Sequence, residues 1–178
     1  MDKNVRRVFV EKKKGFDVEA RELYDDFRDN LGIKGLESVR IINRYDIEGI
    51  SRQDYEYSRD TILSEPPVDR VYEENIDIGV GSRLLAVEYL PGQYDQRADS
   101  ASQCMQILTR GERPEVRTAK LIVLEGAVTD GDYRRIKEYC INPIESREAS
   151  MEKPLTLRME VEAPDDVEVL DGFLDMSV

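Results

Sequence analysis

The residues best suited to chemistry are carboxylates placed near helix starts. Asp95 and Asp99 fall in Leu90-Pro91-Gly92-Gln93-Tyr94-Asp95-Gln96-Arg97-Ala98-Asp99-Ser100, and Asp130 and Asp132 open a later stretch with Glu125 nearby. Carboxylates at such spacings can exchange protons or hold a hard cation through oxygen. A calcium loop needs denser and more regular ligand spacing, so Glu125, Asp130 and Asp132 read more simply as a solvated turn. A carboxylate enzyme would require Asp95, Asp99, Asp130 and Asp132 to converge in one pocket. Gln93, Tyr94, Asp95, Arg97 and Asp99 form the candidate interface, a docking loop or ligand contact. The plain reading of the same residues is a glycine turn followed by a helix cap.

Other chemistry is thinly provided for. The chain has no histidine, so most nucleophile–base pairs and many transition-metal sites lose their usual member. We therefore expect no catalytic, cofactor-binding or metal-binding residue in this chain. Cys104 and Cys140 have apolar neighbours at helical spacing, which predicts reduced thiols packed in the core. Gly79-Val80-Gly81 lacks the third glycine and the Lys-Ser/Thr of a phosphate-cradling loop and reads as a linker. The basic start, Arg6, Arg7, Lys12, Lys13 and Lys14, reads as a solvated strand edge.

Composition narrows the partners. In 178 residues, 26 Lys and Arg face 38 Asp and Glu, a net charge of -12 that opposes binding to nucleic acid or an anionic membrane. No apolar run reaches the ~20 residues of a membrane span, and the charged start has no signal-peptide core, which predicts a cytoplasmic protein.

What must position these residues is a repeat. Val10-Glu11 recurs as Val87-Glu88, Gly15 as Gly92, Val39-Arg40 as Val116-Arg117 and Glu48-Gly49 as Glu125-Gly126, each 77 residues on. Phe16-Asp17 and Asp54-Tyr55 recur as Tyr94-Asp95 and Asp132-Tyr133 after one insertion. Each copy reads strand, helix, long strand, helix, strand. In the first, Arg7 to Lys12 is a strand, Asp17 caps a helix with Ala20, Leu23, Tyr24, Phe27 and Leu31 on one face, and Gly32 closes it. Val39 to Ile47 is the long strand, Ser51 with Asp54 opens a second helix to about Leu63, and Val68 to Glu74 closes the unit after Pro66-Pro67. In the second, Leu84 to Leu90 is a strand, and a helix near Arg97 to Thr109 presents Ala101, Cys104, Met105 and Leu108. Val116 to Leu124 is the long strand, Asp130 caps a helix carrying Tyr133, Ile136 and Cys140, and the last strand lies within Ile144 to Met151.

The predicted fold is α+β: two tandem β-α-β-α-β repeats related by pseudo-twofold symmetry, ferredoxin-like plaits in which each copy covers the sheet of the other. The boundaries are 1–78 and 83–152, followed by 153–178 as a connector toward missing sequence. Leu155, Leu157, Met159 and Val161 alternate with polar residues there, a strand-like tail.

The segments LPGQYDQRADSASQC and VRRVFVEKKKGFDVEA resemble the N-terminal region of one branch of the large bacterial phosphoribosylformylglycinamidine (FGAM) synthases, the likeness running from about Val5 to Phe173. That resemblance implies two PurS-like copies in tandem. The family makes an amidine from formylglycinamide ribonucleotide, using ATP, magnesium and ammonia released from glutamine, in purine biosynthesis. It implies ATP and magnesium sites in other domains, and as partners the synthetase core and the glutaminase of the same enzyme. The family's catalytic histidines find no match here. The implied role is assembly, bracing the two partners so that ammonia passes between them unprotonated. A second reading of the repeats alone is a small-molecule-sensing module, since paired α/β plaits can bind ligands between copies.

Overall fold

The computed structural model describes residues 4–158, an α+β arrangement of six strands and four helices. β1 (Arg6–Lys12), β2 (Leu36–Glu48), β3 (Asp69–Glu73), β4 (Arg83–Tyr89), β5 (Glu115–Gly126) and β6 (Ser146–Glu148) join in one antiparallel sheet of order β3-β1-β2-β5-β4-β6. α1 (Val18–Asp25) continues through wider π-type turns at Asp26–Asn30, and α2 (Arg52–Ser58) does the same at Arg59–Leu63. α3 (Gln96–Thr109) and α4 (Asp130–Cys140) are regular.

The long strands are rich in β-branched residues that suit a pleated, two-sided surface. β2 and β5 form the central ladder, in which Val39 faces Leu124, Asn43 faces Lys120 and Ile47 faces Val116. Gly126 closes β5 with φ of +110°, and a Cβ there would lie 2.4 Å from the Gly35 carbonyl oxygen. Only glycine allows the two loops to approach this closely.

All four helices cover one face of the sheet, and they do so crosswise. Ala20 and Phe27 of α1 and its extension share a core with Leu85, Ile122, Leu124 and, from α4, Ile136. Ala101 and Met105 of α3 share another with Val8, Val10, Tyr45, Ile47, Tyr55 and Leu63. Each half of the chain thus inserts a helix into the core of the other.

The opposite face is not covered by a second sheet, contrary to the expectation that each copy would cover the sheet of the other, for both copies join in one six-stranded sheet. Phe9, Ile42, Leu121 and Val123 are buried there, with Ile76, Ile78 and Leu84 packed on them. Beyond β6 the chain crosses this face, held by arginines: Arg44 donates to the Ser150 carbonyl at 2.6 Å and Arg7 to the Met151 carbonyl at 2.6 Å. Joining edge to edge enlarges one sheet, so the exiting segments must supply the remaining cover.

Several local expectations change accordingly. Arg7 does not lie on a solvated edge: β1 is flanked by β2 and β3, and Arg7 is buried against Asp46 with its Nε 2.6 Å from Oδ1. The Asp17 carboxylate accepts from the Gly15 amide, behind the helix it was expected to cap. α4 is capped by Thr129, not Asp130, in a reciprocal box with Asp132. Residues 155–158 are not a strand, for Leu155 is exposed while Leu157 is buried, and Met159 and Val161 lie outside the described residues.

Candidate functional site

An open groove of about 840 Å³ lies on the helical face, between α1 and α3. Its floor is the centre of the sheet. There Asn43 and Lys120 face each other across the ladder, Asn43 between Ile41 and Tyr45 and Lys120 between Thr118 and Ile122. Glu19 on α1 accepts from the Lys120 ammonium at 2.5 Å, so this cation rising from the floor is tied to the wall. On the other wall Arg97 of α3 donates to the Tyr45 hydroxyl at 3.2 Å.

Two of the five candidate interface residues line this groove, Asp95 and Arg97. Asp95 is also a strut: one carboxylate oxygen accepts from the Ala98 amide at 2.9 Å and caps α3, while the other accepts from the Thr118 hydroxyl at 2.7 Å and joins the helix to β5. Gln93, Tyr94 and Asp99 lie outside it. Gln93 donates to the Ile144 carbonyl, and Asp99 accepts from Arg113 at 2.5 Å and from the Tyr94 hydroxyl at 3.0 Å. Arg113 above all, then Tyr94, holds the Asp99 carboxyl below its ordinary range. Tyr94 itself is 68% exposed.

The four aspartates that a carboxylate enzyme would need are each committed elsewhere. Asp130 accepts from Arg83 at 2.6 Å, and Asp132 accepts from Thr129 and Arg135. Thr129 first, then Arg135, keeps the Asp132 carboxyl below its ordinary range. Only Asp95 of the four lines the groove. Among the described residues no cluster of three or more His, Cys, Asp or Glu side chains could hold a metal ion, and no helix is long and apolar enough to cross a membrane.

The cysteines part company. Both border the groove, yet Cys104 is exposed and not in the core, whereas Cys140 is half-buried and burial pushes its thiol up to about 11. At pH 8 Cys140 should therefore hold about a hundredfold less thiolate than an ordinary thiol. A disulfide reagent should modify one thiol rapidly and the second only slowly, with the fast site mapping to Cys104. Equal rates at both would contradict the difference in burial.

Asn43, Lys120 and Glu19 were missed by the sequence reading. The signal was present, because polar side chains at the centre of the otherwise apolar face of each long strand, Asn43 in β2 and Thr118 and Lys120 in β5, mark a place where that face opens to solvent. Compared with models of known protein families, with curated proteins and with solved structures, the chain matches none.

Proposed function

We propose that this chain is a non-catalytic, PurS-like assembly module of the FGAM synthase type, built from two copies of one unit. The observation that carries the reading is the register of the central ladder. Asn43 pairs with Lys120, its own counterpart at the 77-residue offset, so Val39 pairs with the counterpart of Ile47 and Val116 with Ile47 itself. A strand pairing with its own copy about a twofold axis has this register, which is the pattern of a symmetric dimer interface. The order β3-β1-β2-β5-β4-β6 reads alike from either edge, and the matched turn glycines Gly15 with Gly92 and Gly49 with Gly126 all have positive φ. Such a tandem replaces a dimer by a single rigid body, which suits a part whose task is to hold two others at fixed separation. The partners are the synthetase core and the glutaminase, ATP and magnesium belong to the former, and the setting is purine biosynthesis in the cytoplasm.

The test is reconstitution. Added to a synthetase core and glutaminase that lack this region, the chain should raise glutamine-dependent amidine formation at least tenfold while showing no ATP hydrolysis or glutaminase activity alone. Turnover by the pure chain, or no stimulation and no association, would sink the assignment.

The groove favours a second reading, a small-molecule sensor, because it lies where the two halves meet and its floor is polar. Calorimetric binding of an amino acid or purine nucleotide, lost in Asn43→Leu, would select that reading.

A further inference from the structure

We propose that the sheet face opposite the helices is a receptor for an extended main chain, and that its partner is the 150–158 segment of a second copy of this chain. In the structure the chain's own segment occupies that face, and the way it is held is unusual. Arg44 reads the Ser150 carbonyl, Arg7 reads the Met151 carbonyl and, at 3.3 Å, that of Glu152, and Arg117 reads the Leu157 carbonyl at 2.5 Å. Glu48 accepts from the Leu157 amide at 2.6 Å. These five contacts address the backbone, and the side chains of the segment add fewer: Thr156 donates to Glu48 at 2.9 Å and Lys153 to Glu74 at 2.5 Å.

The segment contributes little side-chain burial in return. Leu155 is 94% exposed and Met151 is exposed, while Leu157 is the side chain that sinks in. It has no ladder partner from Ser150 to Arg158. A stretch with few apolar contacts belongs to the low-stability end of a fold and opens ahead of the whole.

What it leaves behind cannot stay bare. Arg7 and Arg44 are nearly fully buried beside a shared carboxylate, Asp46, with Glu88 3.7 Å from Arg44, over the apolar Phe9, Ile42, Leu121 and Val123. Even with both carboxylates, two guanidiniums carry more N–H donors than these anions meet, and the remainder need carbonyl oxygens. The same segment of a second copy offers the same carbonyls and amide in the same order, so exchange between copies replaces each bond without new chemistry. The proposal stands apart from the assembly reading and does not depend on it.

The experiment mixes two batches of the full chain labelled at exposed Cys104 with a donor and an acceptor fluorophore. Energy transfer should grow with concentration and with time, and sedimentation should show a dimer. An excess of the free peptide Ser150-Met151-Glu152-Lys153-Pro154-Leu155-Thr156-Leu157-Arg158 should reduce the transfer at least fivefold without altering the protein itself. Arg117→Gln should weaken it by a similar factor. A chain that stays monomeric at every concentration overturns the proposal, and so does transfer that the peptide leaves unchanged, because association would then use another surface.

Discussion

Phe27→Ala should lower the stability of the whole chain by about 3–5 kcal/mol, the usual cost of emptying a fully buried aromatic site. For a chain of this length that corresponds to a fall of about 6–20 °C in the melting temperature. Phe27 is completely buried at the wide turns that extend α1, and its ring meets Tyr139 of α4 edge-on at 5.9 Å. The core it belongs to joins Ile33, Leu36, Val39 and Ile41 of the first half to Leu85, Ile122, Leu124 and Ile136 of the second. The informative part of the result is its shape. Because α1 helps fill the core over β4 and β5 while α3 fills the core over β1 and β2, neither half retains a complete core alone. Calorimetry should therefore show a single transition in both the parent and the variant, shifted as a unit. Two separated transitions would mean that the halves fold independently and that the crosswise packing contributes little.

The strands were legible because each carries one apolar face on a period of two, as in Val8 and Val10 or Val39 and Ile41, and the structure places these side chains under the helices. What the pattern could not show was the other face. Arg7, Arg44 and Asp46 look solvent-bound in a sequence, yet here they are buried by a segment that arrives from more than a hundred residues away. No local pattern encodes so distant a cover. The stripe of α3 was misread by a small rotation: Ala98, Ala101, Ser102 and Met105 are buried, not Cys104. Ser102 turns inward because its hydroxyl donates to the Pro114 carbonyl at 2.6 Å, a contact that rewards a polar residue on the buried side. In the candidate interface, Asp95 was found by its place before a helix. Its second role, bonding Thr118 across to β5, depended on a long-range contact that spacing alone does not reveal.

Arg7→Gln should be the most damaging change at a charged residue, costing about 3–5 kcal/mol because it strands a buried carboxylate. Arg7 grips Asp46 with two donors, Nε at 2.6 Å and Nη2 at 2.8 Å, and both side chains are about 3% exposed. Arg44 does not replace it. Its Nε stands 3.4 Å from Asp46, it is shared with Glu88, and burial pulls its guanidinium below the ordinary range. The loss also releases the Met151 and Glu152 carbonyls, so protease cleavage between 150 and 158 should accelerate at temperatures where the rest of the variant is still folded. Arg40→Gln is the matched comparison. Arg40 grips Glu11 with the same two-pronged geometry, at 2.7 and 2.9 Å, but its side chain is 26% exposed and Tyr72 also donates to Glu11. Solvent and a second donor should soften that loss, so denaturant unfolding should show a clearly smaller decrease. If the two substitutions cost the same, burial would not be what makes the Arg7 pair matter, and the segment crossing the sheet would need another anchor.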